Sequence, residues 1–194
     1  VAPEDVFGNG QNGTLVVNSG DTTPTDLVRS GITGSVSAGS TQLPVADPSG
    51  WSIGMRVLIH QTRGTGAGNW EINSIVGLPG TALDLARPLL HGYQDGGSDQ
   101  AQVIRLLQYS SCTVQSGGTL VANGWDGNTG GIMAVMCGES AQVNGSINVS
   151  AHGFQGGNTT NRQGRQGDGH PAVGVDSTSA NGNGAGGGVG STGG

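Results

Sequence analysis

The sequence predicts an all-β chain: a right-handed β-solenoid-like core, or a β-sandwich, with a small inserted β-meander or barrel and a glycine-rich extended tail. Three observations lead there. Apolar and polar residues alternate with period two up to about residue 152, which is the strand signal. Glycine supplies 40 of the 194 residues, and each glycine inside a helix costs about 1 kcal/mol relative to alanine. A weak repeat also recurs at an interval suited to one solenoid coil.

The strands follow in order. Thr14-Leu15-Val16-Val17 comes first, then Gln42-Leu43-Pro44-Val45, Arg56-Val57-Leu58-Ile59-His60, Glu71-Ile72-Asn73-Ser74-Ile75-Val76, Ala82-Leu83-Asp84-Leu85 and Gln102-Val103-Ile104-Arg105-Leu106-Leu107. Asn-Gly, Ser-Gly, Pro-Gly and Gly-Gly pairs punctuate them, as tight turns require. The pattern Val114-x-Ser116-Gly117-Gly118-x-Leu120-x-Ala122 returns as Val143-x-Gly145-x-Ile147-x-Val149, about 27 to 29 residues later, one coil of a solenoid. Gly13-Thr14-Leu15-Val16-Val17 is matched in the same way to Gly118-Thr119-Leu120-Val121-Ala122. A sandwich with regular turns gives a similar pattern, so both architectures stand at this point.

Residues 41–107 break the repeat with denser strands and read as the insert, with Trp51 and Trp70 expected as its core anchors. Residues 1–40 and 108–152 then form the solenoid-like core, and 153–194 the tail. In that tail Phe154, Val173, Val175 and Val189 are the sizeable apolar residues, too few to offset its ordering entropy; support from neighbouring chains or from the flank of the preceding domain is expected. Cys112 and Cys137 fall on adjacent coils, either as a disulfide or as two buried thiols. A bond would close a loop of about 25 residues and add roughly 3 kcal/mol in an oxidising compartment.

Charge excludes several partners. All seven basic residues are arginine, and thirteen acids bring the net charge to −6, which leaves no footprint for a phosphate backbone. Nucleic acid is therefore not expected as a partner, and no apolar run is long enough for membrane insertion. The first residues, Val1-Ala2-Pro3-Glu4, read as the start of a mature secreted chain whose leader has been removed.

Signatures of chemistry are sparse. Without lysine there is no P-loop. His60, His91, His152 and His170 lack the spacing of a zinc site, and no Gly-x-Ser-x-Gly elbow occurs. Neither a catalytic residue nor a cofactor is assigned. Glu71, Asp84, Asp95, Asp99 and Asp126 are the acids from which a polysaccharide-cleaving pair would have to come, yet they read as turn formers and solvated faces, with Asp95, Asp99 and Asp126 in glycine-containing turns. Calcium at Asp95 and Asp99, or around Asp21 and Asp26, has no EF-hand spacing behind it. The glycosylation triplets at Asn12, Asn144, Asn148 and Asn158 are what an Asn-, Ser- and Thr-rich composition yields by chance.

Gly50-Trp51 through Gln61, Gly64-Thr65-Gly66-Ala67-Gly68-Asn69-Trp70-Glu71-Ile72, Pro88-Leu89-Leu90, Gln108-Tyr109, Gly124-Trp125-Asp126-Gly127, Gly130-Gly131-Ile132 and Gly153-Phe154-Gln155-Gly156-Gly157 form a distinctive series. Over roughly residues 41–157 it resembles glycine-rich β-helical modules of very large bacterial cell-surface and secreted proteins, including the adventurous gliding motility type. It is also similar to segments of phage tail-fibre proteins. The resemblance implies architecture and brings no catalytic signature.

The leading expectation is a secreted, non-enzymatic structural protein that self-assembles into a surface filament, sheath or adhesive fibre through backbone contacts between copies. The alternative is a phage tail-fibre or host adhesin module in which surface glycans stack on Trp70, Tyr93 and Trp125. A polysaccharide-processing β-helix enzyme using Glu71 or Asp84 is the weakest of the three.

Overall fold

The computed structural model describes residues 6–154, 159–160, 163–165, 168 and 176–177. Alternation becomes strands in chain order: β1 (Thr14–Val17), β2 (Thr22–Pro24), β3 (Arg29–Gly31), β4 (Gln42–Pro44), β5 (Arg56–Arg63), β6 (Trp70–Gly77), β7 (Ala82–Leu85), β8 (Gln100–Arg105), β9 (Leu107–Val114), β10 (Thr119–Val121), β11 (Val135–Val143) and β12 (Ser146–Ile147). The chain divides into two compact units, one of residues 1–27, 105–124 and 130–153, the other of residues 28–104, 125–129 and 154–194. Residues 28–40, placed with the solenoid by sequence, thus belong with the insert. The reason is β3, which pairs with β8 through Arg29–Ile104, Ser30–Val103 and Gly31–Gln102.

The first unit is a stack of coils with parallel sheets, which decides for a solenoid over a sandwich of antiparallel sheets. One sheet has the order β1-β9-β11 and the other β2-β10-β12. Val17, Val114 and Val143 occupy one rung; Leu120 and Ile147 share another with Thr23. The repeat of Val114 and Leu120 in Val143 and Ile147 is therefore a true coil register. Gly13–Val17 is not the counterpart of Gly118–Ala122, however: Thr14–Val17 lies beside Ser111–Val114, and the neighbour of Thr119–Val121 is Thr22–Pro24. Both segments show the same short alternation, but alternation does not say which side of a coil a strand occupies.

Leu15, Val17, Cys112, Val114 and Leu120 fill this unit's interior. Cys112 and Cys137 are bonded across β9 and β11, with Cα atoms 5.8 Å apart. The bridge sits where β11 slips register between Cys137 and Ser140, a bulge of the kind that re-aims a strand. On the last described coil the inward-register residues Val143 and Ile147 are 48% and 52% exposed, whereas their partners Val114 and Leu120 are buried.

The second unit is a six-stranded sheet of order β3-β8-β5-β6-β7-β4. Its edges meet: Ile32 bridges Val45, Thr33 N–H donates to Pro44 O (3.1 Å) and Ala46 N–H to Gly31 O (3.0 Å). The sheet thus curls until its edge strands β3 and β4 bridge each other. Leu43, Val45, Trp51, Val57, Ile59, Ile75, Leu83, Leu85 and Val103 pack inside. Trp51 is the expected anchor. Trp70 is not, being 58% exposed.

Within the tail, β13 (Thr159–Thr160), β14 (Gln163–Arg165) and β15 (Asp176–Ser177) make a small antiparallel sheet, and buried Asp168 lies 3.8 Å from the Arg63 guanidinium. The remaining expectations for residues 153–194, including contacts with other copies, fall outside the described residues. Among the described residues no helix is long and apolar enough to cross a membrane.

Candidate functional site: an aromatic row on the closed sheet

Strand pairing assembles the site. His60 on β5 and Trp70 on β6 are register partners in an antiparallel pair, so their side chains leave the same face of the sheet. That face points outward, because the intervening residues Ile59, Glu71, Asn73 and Ile75 are buried on the other side. The Phe154 ring stacks on His60 with centroids 5.6 Å apart and planes 20° from parallel. Trp125 meets Phe154 edge to face at 5.3 Å. Both separations lie in the favourable range for aromatic pairs. The outcome is a row, Trp70, His60, Phe154, Trp125, with Trp70 most open to solvent.

The row is held from beneath and from one end. Gln102 Nε2 donates to Thr62 Oγ1 (2.9 Å), and the Thr62 hydroxyl is in turn hydrogen-bonded to His60 Nδ1 (3.0 Å). Burial lowers the His60 pKa to about 4, so the ring is uncharged at neutral pH. At the Trp125 end, Asp126 Oδ1 accepts Asn128 N–H (2.8 Å) and Thr129 N–H (2.7 Å), and its Oδ2 accepts the Thr129 hydroxyl (3.2 Å). Burial raises the Asp126 pKa, but those bonds and the Arg29 charge outweigh it, so the carboxyl sits below its usual range. Arg29 Nε also donates to Thr129 Oγ1 (3.2 Å), tying the turn to β3. Asn128 packs onto Gly31, where a Cβ would come within 2.8 Å of the Asn128 side-chain oxygen and oblige that side chain to move.

Trp70 and Trp125, two of the three stacking residues expected from sequence, belong to this row. Tyr93 does not. It is fully buried, and its hydroxyl donates to Glu71 Oε1 (3.0 Å), so it has no ring face to offer. Burial, reinforced by the Glu71 charge, pushes its pKa upward. His60 and Phe154 were missed as site residues. His60 looks like one member of an alternating strand, and Phe154 meets it only through tertiary folding.

The acids take other positions. Glu71, 5% exposed, accepts from Leu90 N–H (3.0 Å), His91 N–H (3.2 Å) and Tyr93, anchoring the 88–93 loop. Asp84 sits between core residues Leu83 and Leu85 on β7 and so faces outward, opposite to Glu71. Its Oδ1 accepts from Gln42 Nε2 (3.0 Å). Asp95 accepts from Gln100 Nε2 (2.9 Å) and Asp99 from Thr65 N–H (2.7 Å). Asp21 accepts from the Asn18 amide (3.1 Å) and Asp26 from Asn123 N–H (2.8 Å). Each of these acids accepts a hydrogen bond within the fold, and among the described residues no group of three His, Cys, Asp or Glu side chains is arranged to hold a metal ion.

No protein-family model matches the chain, and no curated protein does. Solved structures similar to it include the tailspike gp49 from Pseudomonas phage LKA1 (14% identity, TM-score 0.39, 57% of this chain and 27% of that one). Another is the Gp54 tailspike of Acinetobacter baumannii bacteriophage AP22 in complex with A. baumannii capsular saccharide (11% identity, TM-score 0.36, 69% of this chain and 27% of that one). A third is the Pseudomonas phage phi297 tailspike gp61 (14% identity, TM-score 0.36, 60% and 22%). The chain thus spans about a quarter of the length of these tailspikes.

Proposed function

We propose that the chain is an extracellular adhesin module that binds surface glycans along the row Trp70–His60–Phe154–Trp125, holding them without cleavage. The observation that carries this is the row itself: two uncharged rings stacked nearly parallel and two tryptophans flanking them, on a sheet closed against distortion. A pyranose has one face made largely of C–H groups, and that face packs on aromatic rings while its hydroxyls stay in water. Binding without turnover is supported by Glu71 and Asp84, which lie on opposite faces of their sheet. An extracellular setting is supported by the Cys112–Cys137 bond, since such bonds persist in oxidising compartments. Buried aromatic anchors dominate binding energy, so Trp70→Ala is expected to weaken binding of a glycan found on a bacterial-polysaccharide array by about tenfold or more. Retained affinity in that variant, or an array without a hit, would contradict the proposal.

A second reading, self-assembly, has one specific observation in its favour. Val143, Ile147 and Val149 are 48%, 52% and 45% exposed on the last described coil, where strand addition by another copy would cover them. Sedimentation should then show concentration-dependent association that Ile147→Lys removes. A monomer at all concentrations would rule this reading out.

A further inference from the structure

The solenoid unit holds a pocket of about 530 Å³ that the aromatic row does not use, lined by Phe7, Gly8, Asn9, Gly10, Ser110, Gly138 and Glu139. Its volume suits a ligand the size of a sugar ring or larger. Gly8 and Gly10 take φ values of +84° and +71°, and a Cβ on Gly8 would come within 3.0 Å of the Gln108 and Met136 Cβ atoms; the wall is bare backbone by steric necessity.

The lining is rich in acceptors. Of the lining residues, Ser110 and Gly8 place their carbonyl oxygens 3.6 and 3.7 Å from a point one bond above the Gly138 backbone. Ser110 Oγ already donates to Gly13 O (3.0 Å), so what it offers a ligand is lone pairs. Glu139, beside Gly138 on the exposed β11 bulge, is the one charged lining residue, and the Phe7 ring is 54% exposed. Converging carbonyls, a carboxylate and an aromatic face, with no arginine among the lining residues, all favour the same guest: a cation with several N–H donors.

We propose that this pocket binds a primary ammonium group on a ring-sized carrier, such as the protonated amine of an amino sugar. The ammonium donates to the carbonyls around Gly138, pairs with Glu139 and lies against Phe7. This site stands independently of the aromatic row, because all its residues belong to the other unit.

Calorimetric titration of the whole chain with glucosamine, cyclohexylamine and N-acetylglucosamine, at mildly acidic pH, tests it. Glucosamine and cyclohexylamine should bind, and N-acetylglucosamine, of similar size but without the charge, about tenfold more weakly or not at all. Glu139→Gln, on an exposed bulge where the fold tolerates change, should weaken both amines about tenfold. Phe7→Ala should weaken them as well. Equal binding of N-acetylglucosamine, no binding of either amine, or undiminished binding by Glu139→Gln would overturn the assignment.

Discussion

Replacing Glu71 with leucine is expected to destabilise the closed sheet by about 4 kcal/mol, the largest single-residue effect anticipated in that unit. The carboxylate is buried and receives the Leu90 and His91 backbone N–H groups and the Tyr93 hydroxyl. Leucine leaves the buried Tyr93 hydroxyl and the part-buried Leu90 and His91 N–H groups without this acceptor, and each unsatisfied buried donor costs on the order of 1–3 kcal/mol. Tyr93→Phe removes one donor and leaves the carboxylate its two backbone partners, so its cost should be near 1 kcal/mol. Urea unfolding of the two variants measures the difference. A Glu71→Leu penalty no larger than that of Tyr93→Phe would mean the 88–93 loop is held by something else.

Loss of the Cys112–Cys137 bridge is the second large effect. The bond closes a loop of 25 residues, worth roughly 3 kcal/mol in the chain-entropy model. It also pins β11 to β9 at the point where their register slips. Reduction, or the double replacement by serine, should therefore lower the melting temperature by roughly 6–12 °C. The near-ultraviolet signal of the closed sheet should persist at temperatures where the coil unit has lost its structure. An unchanged melting temperature would show that the coils hold β11 in place without the covalent link.

Part of the coil unit was legible from sequence because apolar inward positions on two successive coils recur at nearly one spacing. Val114 and Val143, and Leu120 with Ile147, obey that rule, and they pair in the structure as the spacing required. Strands that the sequence pattern did not display include β2 and β3, made of residues such as Thr22, Pro24, Ser30 and Gly31, whose contribution is backbone pairing with little apolar alternation. In the insert, β6 inverts the usual pattern. Its apolar residues Trp70 and Ile72 face outward, while Glu71 and Asn73 face the core. Asn73 is satisfied there by donating to Arg87 O (2.9 Å) and accepting from Arg87 N–H (3.2 Å). Alternation therefore revealed the strand but misplaced Trp70 as a core anchor. Polar residues facing inward are decided by tertiary partners that a linear pattern does not display.

The same limit applies to the site. Aromatic residues are scarce in this chain, so Trp70 and Trp125 stood out as candidate platforms. Tyr93 did too, and nothing local to it announces the Glu71 carboxylate that claims its hydroxyl from 22 positions earlier. His60 and Phe154 are separated by 94 positions, and only folding brings their rings together.

Tryptophan fluorescence during titration with a glycan selected from the array tests the central proposal most directly. Trp51 is buried in the closed sheet, so a response should come from Trp70 and Trp125. The account predicts saturable quenching that Phe154→Ala, which leaves both reporting tryptophans in place, weakens about tenfold with the fold intact by circular dichroism. Full-affinity quenching in that variant, or no saturable quenching in the unaltered chain, would contradict it.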